Sequence, residues 1–287
     1  MDRKAGHPLT PMGEDTARRR VDVLGVHVSA ITLGTAVSRI SEWIDRDAQH
    51  YVSITGVHGV MESQDDEELR QIHNAAGMVT PDGMPMVWSA HRAGAPDVER
   101  VYGPDLMLAT SRVAATKGWR FFLYGGKEGV AEQLAANLET WYPGLQVVGW
   151  HSPPFRPLSH DEDAELVASI NALDPQVIWV GLSTPKQERW MASHVGRVRA
   201  TVMVGVGAAF DMHTGQVRQA PRWMQRTGLE WLFRLLQEPR RLWRRYLRNN
   251  PRFLVQILRR PPRLVPEVVD PGNTDVREQI SASDMAD

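Results

Sequence analysis

The sequence predicts an α/β fold: a mostly parallel sheet flanked by helices, followed by a basic helical C-terminal appendage. Three observations carry this expectation. Short apolar, β-branched runs alternate with helical patterns, as in strands joined by covering helices. Glycines and small polar residues recur directly after those runs, where sheets of this kind place their ligands. From Arg218 to Arg260 the composition then changes abruptly, with twelve Arg and no Lys against two acids, Glu230 and Glu238.

Strands are expected at 21–28, 50–55, 119–124, 145–150, 176–181 and 201–206. The runs Phe121-Phe-Leu-Tyr124 and Val177-Ile-Trp-Val180 are apolar throughout, as strands covered on both faces should be. Helices are expected at 33–46, 66–75, 83–92, 104–117, 128–141, 161–172 and 185–195, where apolar residues recur at helical spacing. In the appendage, Pro239 and Pro251 each suit a first-turn position and divide it into helices near 228–237, 239–249 and 251–260. Leu242, Trp243, Tyr246 and Leu247 share one side of the middle helix, leaving Arg240, Arg241, Arg244, Arg245 and Arg248 around the other. Residues 1–17 and 261–287 read as poorly ordered ends, bounding a body at 18–217 and an appendage at 218–260.

Composition narrows the function. The chain has 287 residues, 42% of them hydrophobic, enough for a buried core. Its net charge is −1, yet the appendage alone carries +10, and a segregated cationic face attracts anions within a Debye length of about 8 Å. With no cysteine there is no disulfide, thiolate metal site or thiol nucleophile. Nothing resembles a signal h-region or a spanning segment of ~18 apolar residues, so the expectation is a cytoplasmic protein that is not integral to a membrane. Interleaved Trp223, Trp231, Trp243 and Tyr246, and the lack of a nucleic-acid motif, favour a lipid or lipid-diphosphate surface over nucleic acid as the anionic partner.

Strand ends supply the candidate site. Asp82 follows an apolar run in Thr80-Pro-Asp-Gly83; the tripeptide Pro81-Asp-Gly83 also makes ordinary turns, but an acid against the apolar Met84-Pro-Met-Val-Trp88 can act as a general base. Gly125 and Gly126 open a helix and make either an anion seat or a tight turn; the Gly205 and Gly207 pair has the same two readings, with Asp211 placed to accept from ribose hydroxyls. In Gly181-Leu-Ser-Thr-Pro-Lys-Gln-Glu188, the residues Thr184, Lys186 and Gln187 bring a hydroxyl, a cation and an amide to one helix start, suited to a diphosphate or sugar; the plainer reading is a capped helix with solvated Lys186 and Glu188. The ten histidines are scattered and no H-E-x-x-H or D-x-D stands out, so no metal ligands are assigned.

Together these motifs resemble the WecG/TagA/CpsF family of bacterial glycosyltransferases. The resemblance rests on Thr80-Pro-Asp-Gly-Met84, Arg100-Val-Tyr-Gly-Pro-Asp-Leu106, Phe122-Leu-Tyr-Gly-Gly126, Gly181 to Glu188, Gly205-Val-Gly-Ala-Ala-Phe-Asp211 and Ala220-Pro-Arg-Trp223. It continues through Gly228-Leu-Glu-Trp231, Glu238-Pro239 and Arg244-Arg-Tyr246, covering about residues 20–255 in order. It implies a Rossmann-like body and an inverting, metal-independent transferase. Such an enzyme moves a sugar, typically N-acetylmannosamine, from a UDP-sugar donor to a sugar linked to undecaprenyl diphosphate. It implies the base at Asp82, donor contacts at Arg100, Gln187 and Thr55, and a ribose contact at Asp211. It also implies a mobile appendage whose arginines in the Arg234–Arg248 set meet an anionic membrane surface, peripheral at the inner face of the cell membrane. The chain has Thr55-Gly-Val-His58 where relatives commonly read Thr-x-Asn, and Ala208-Ala209 where they read Gly-Gly, leaving another UDP-hexose and exopolysaccharide assembly open. The rivals from other classes are a non-catalytic nucleotide- or polyanion-binding protein and an NAD-dependent oxidoreductase; the missing G-x-G-x-x-G counts against the latter. Self-association is left open.

Overall fold

The computed structural model describes residues 19–266; the ends expected to be poorly ordered at 1–17 and after residue 266 lie outside the described residues. The chain begins with a hairpin, β1 (Arg19–Val23) and β2 (Val26–Ser29), where a single strand over 21–28 was expected. Leu24 and Gly25 both have positive φ, 56° and 91°, the geometry of a tight two-residue hairpin turn. The Gly25 N–H donates to Asp22 Oδ1 at 2.6 Å, closing the turn. The apolar run hid this turn because Leu24 is itself buried.

Helix α1 (Leu33–Asp45) leads to β3 (His50–Thr55), followed by α2 (Val57–Asp65), α3 (Glu67–Ala75) and β4 (Met78–Pro81). Then come α4 (Met84–Arg92), α5 (Gly103–Lys117), β5 (Arg120–Gly125), α6 (Val130–Trp141) and β6 (Gln146–His151). The body ends with α7 (His160–Leu173), β7 (Val177–Gly181), α8 (Lys186–His194), β8 (Val202–Gly205) and the short α9 (Ala209–His213). Strands β3 to β8 form one six-stranded sheet in the order β4-β3-β8-β7-β5-β6, every neighbouring pair parallel. This is the expected mostly parallel sheet flanked by helices, of Rossmann-like type.

The side-chain period of two divides the core between the two faces of the sheet. Phe121, Leu123, Val177, Trp179, Val202 and Val204 pack on one side against α1, α5, α6 and α9. Phe122, Tyr124, Ile178, Val180 and Met203 pack on the other with α2, α4, α7, α8 and the hairpin. Burial of this kind is worth roughly 1.5–3 kcal/mol per large apolar side chain, which explains why the central strands read as unbroken apolar runs. Strand β6 lies at an edge and is only partly covered, in keeping with its mixed sequence.

The appendage comprises α10 (Arg222–Arg226), α11 (Glu230–Gln237) and α12 (Pro239–Arg259). Helix α12 is continuous for 21 residues through Pro251, where a break between 239–249 and 251–260 was expected. Proline removes one intrahelical hydrogen bond, but contacts to α2 on both sides of it hold the helix in line. Asn249 Nδ2 lies 3.2 Å from His58 Nδ1, and Arg252 makes a two-pronged pair with Asp65 at 2.5 and 2.6 Å. Phe253 enters the main core. The chain then forms β9 (Arg263–Pro266), antiparallel to β1, so the small sheet has the order β2-β1-β9. Residues 263–266, expected in a poorly ordered tail, are therefore a paired strand; the backbone partner on β1 is remote in sequence, and the local composition carries no trace of it.

Strands β5 and β7 approach closely at their carboxyl ends. Gly125 has φ +124°, and a Cβ there would stand 2.6 Å from the carbonyl carbon and oxygen of Gly181. Gly125→Ala should therefore lower the unfolding free energy by about 2 kcal/mol or more. Gly118→Ala is the control: φ is +71° but nothing lies within 4 Å, so only the left-handed strain of about 1 kcal/mol applies. Urea denaturation of both variants checks this; equal midpoints would show that the contact is not tight.

Candidate active site

A cavity of about 1390 Å³ opens at the carboxyl ends of the parallel strands. Ile54 of β3 and Gly56 just after it reach the cavity, as do Asp82 just after β4, Gly126 just after β5, Gly181 at the end of β7, and Gly205 at the end of β8 with Gly207 beyond it. The appendage closes the opposite side with Glu230, Arg234, Arg241 and Arg245. Tyr124 and Trp190 stack at 4.2 Å along another wall, beside the proline-rich connection 153–158.

Asp82 is delivered by backbone register. Its N–H donates to the Thr55 carbonyl at 2.9 Å, extending the β3–β4 pairing by one residue before Gly83 turns the chain into α4. The carboxyl faces the cavity yet is crowded by protein, and this loss of water raises its pKa above the ordinary carboxylate value. The positive charges of Arg100 and Arg234 oppose the rise, and Asp105 adds to it. Glu230 shares the site and is shifted upward for the same reasons, burial first, with Arg100 opposing and Asp82 adding. Burial and the two acids also push the Tyr102 phenol well above its usual value.

Arg100 stands behind the wall. Its Nη2 pairs with Glu230 Oε2 at 2.5 Å, its Nη1 donates to Gln225 Oε1 at 2.8 Å, and its guanidinium lies 3.9 Å from the centre of the Tyr102 ring. Both of its ionic and amide partners come from the appendage. The Nε atoms of Arg100 and Arg234 are buried with no hydrogen-bond partner among the described residues, leaving strong donors unused close to Asp82.

The helix start at α8 differs from its plain sequence reading. Glu188 is wholly buried, where a solvated position was the simplest expectation. Its Oε1 accepts from the Thr184 hydroxyl and from Gln187 Nε2, both at 3.0 Å. Gln187 Oε1 in turn accepts the Gly207 N–H at 3.0 Å. Gln187 thus clamps α8 to the turn after β8, and Lys186, at the rim of the same helix start, lines the cavity. Burial holds the Glu188 pKa above its ordinary value against these hydrogen bonds.

Of the residues the sequence marked, Asp82, Gln187, Gly126, Lys186, Gly205, Gly207 and Asp211 line this one cavity. Thr55 does not: its Oγ1 lies 3.1 Å from His73 Nδ1, which also meets Ser53 Oγ at 2.8 Å, inside the body. Gly125 serves the close approach of strands, leaving Gly126 at the cavity. Sequence reasoning gave no site role to Glu230, Tyr102, His58 or Asn249. His58 lines the cavity as a neutral imidazole, its pKa lowered to about 4 by burial and then by Arg245. No local motif marks it, since its partner Asn249 comes from α12. Among the described residues no group of three or more His, Cys, Asp or Glu side chains is arranged to hold a metal ion.

Known proteins resemble this chain over most of its length. The chain is 27% identical over 240 residues to an N-acetylglucosaminyldiphosphoundecaprenol N-acetyl-beta-D-mannosaminyltransferase of Staphylococcus aureus strain MW2, covering 83% of this chain and 92% of that protein. It is 27% identical over 231 residues to the protein of the same name from Bacillus subtilis strain 168, covering 77% and 87%. The model of the glycosyl transferase WecG/TagA/CpsF family matches residues 21–265, which spans the body, the cavity and the appendage, and the chain belongs to that family.

Proposed function

We propose that the protein transfers N-acetylmannosamine from a UDP-sugar to an N-acetylglucosamine carried on undecaprenyl diphosphate, with inversion at the anomeric carbon, in the assembly of a cell-surface polysaccharide. The observation that carries this reading is Asp82: a carboxyl of raised pKa at the end of a parallel strand, facing a cavity ringed by arginines. The names of the relatives supply the sugar and the acceptor. Asp82 takes the proton of the acceptor hydroxyl as that oxygen bonds the anomeric carbon. The bond from the anomeric carbon to the phosphate oxygen breaks on the opposite face, and UDP leaves with the electron pair. Arg234, Arg241 and Arg245, with Arg100 behind them, answer the charge that gathers on the leaving diphosphate. Asp211, on α9 at the same cavity, is suited to the ribose hydroxyls of UDP. These cations supply the charge that a divalent ion would otherwise provide, which supports a metal-independent reaction.

The protein reaches its lipid-linked acceptor, in this reading, as a peripheral protein at the inner face of the cell membrane. No described helix is long and apolar enough to cross a membrane. The appendage instead exposes Trp223, Leu236, Trp243, Leu247, Leu254 and Leu258 among its arginines, a surface suited to anionic lipid headgroups.

The direct test is incubation of the full-length protein with UDP-N-acetylmannosamine and a polyprenyl-diphosphate N-acetylglucosamine, with mass spectrometry of the lipid product and other UDP-hexoses in parallel. UDP binding without transfer from any donor would favour the polyanion-binding reading. Asp82→Asn should retain UDP binding and lose roughly 10²-fold or more in turnover, the scale of a lost general base. In the native enzyme the acid limb of kcat/KM should lie above the ordinary carboxylate value of 3.8, because activity is lost as Asp82 takes up a proton and burial raises the pH at which it does so. Activity should survive EDTA; abolition reversed by magnesium or manganese would overturn the metal-independent mechanism. Vesicles rich in anionic lipid should co-sediment the protein at low salt and release it steeply as salt rises, since each basic residue near the surface contributes about 1 kcal/mol. No binding even at low salt would remove the membrane role of the appendage.

A further inference from the structure

Glu230 stands where the appendage meets the body. Its carboxylate pairs with Arg100 at 2.5 Å, with the two side chains only 17% and 11% exposed. Gly228 makes this seating feasible: a Cβ there would lie 2.7 Å from Cη2 of Trp88 on α4, so the turn into α11 rests directly on the body. Gln225, on the preceding short helix, takes the other Arg100 terminal nitrogen and anchors itself by donating from Nε2 to the Ala220 carbonyl at 2.7 Å. Glu230 also lies in the first turn of α11, where a negative charge suits the helix dipole.

Arg234 follows Glu230 by four residues on α11, which puts the two side chains on the same face. Where Glu230 docks therefore determines where Arg234 falls. Arg234 lines the cavity with its buried Nε unpartnered, and its charge is felt at Asp82. One salt bridge between body and appendage thus sets the register of a cation beside the reacting centre.

We propose that Glu230 is a positioning residue, which locks α11 onto Arg100 so that Arg234 meets the leaving diphosphate and Asp82 keeps a charge-balanced setting. This rests on the transferase reading. It assigns Glu230 no contact with substrate: it acts through Arg100 and Arg234. The groups whose charges act on Asp82 or on Glu230 are Arg100, Tyr102, Asp105, Arg234 and Tyr246, besides each other.

The test uses full-length Glu230→Ala, Glu230→Gln, Arg234→Ala and the Glu230→Ala/Arg234→Ala double variant. Glu230→Ala should lower kcat by roughly 10- to 100-fold, and the double variant should be no worse than Arg234→Ala alone, because the second loss acts through the first. Glu230→Gln keeps an oxygen for Arg100 and should recover part of kcat. Its acid limb should move to lower pH, because removing a negative charge and leaving Arg100 less compensated both ease ionisation of Asp82. Wild-type kcat in Glu230→Ala, losses that multiply in the double variant, or an unmoved acid limb in Glu230→Gln would each overturn the proposal. Should the native protein transfer no sugar, the transferase reading fails on its own, and hydrogen exchange decides the Glu230 lock. Faster exchange across residues 228–237 in Glu230→Ala supports it, and unchanged exchange overturns it.

Discussion

A carboxyl taken out of water must be neutralised, paired or hydrogen-bonded, and the arrangement around Asp82 follows from how this chain meets that demand. The parallel sheet brings the acid to a strand end where its backbone is fixed by Thr55. The body offers Arg100 as a nearby countercharge, yet Arg100 is itself tied to Glu230 of the appendage. A second acid has thus been brought in with the second cation, Arg234, so body and appendage each bring one acid and one cation to the cluster. The fold of the body and the seating of the appendage are in this sense one electrostatic problem.

Much of this was legible in the sequence, for identifiable reasons. Central strands buried on both faces declare themselves as apolar runs, so β3, β5, β7 and β8 fall close to where they were expected. Because ligands gather at the ends of such strands, most of the marked residues, Asp82 and Asp211 among them, share one cavity. What was not legible depends on partners distant in the chain. Thr55 points its hydroxyl to His73, eighteen residues away, and β9 exists only because β1 has an unpaired edge. Helix α2 was missed altogether: it follows β3 after a single glycine, and its buried Val60, Met61 and Ser63 do not stand out as a stripe. Glu188 looked like a solvent-facing charge because nothing local reveals that Gln187 and Thr184 turn inward to meet it.

The buried group at the start of α8 shows a second use of polar residues at the cavity. Thr184, Gln187 and Glu188 make a short chain of hydrogen bonds ending on the Gly207 backbone, so the turn after β8 is held from a neighbouring helix. Glu188 Oε2 stays buried without a hydrogen-bond partner among the described residues, yet the bonds that are made tie the turn at Gly207, which leads into α9 and Asp211, to α8. Positioning by buried side chains and contact by exposed ones are therefore divided between adjacent residues of one motif, with Lys186 left at the cavity itself.

The pairing of β9 with β1 bears on how the appendage can move. Helix α12 is joined to the body before it, through α9 and the following segment, and after it, through a strand hydrogen-bonded to the N-terminal hairpin. Segment 218–260 is consequently a strap fastened at both ends. Opening α10 and α11 away from Arg100 creates a loop whose ends never separate, so the entropy of re-closure is small and varies only slowly with loop length. Return is a first-order event governed by a high effective concentration of the strap at its own seat, independent of how much protein is present. Under the proposed function, Arg234 carried on such a strap can be withdrawn to admit a bulky lipid-linked molecule and restored without leaving the protein.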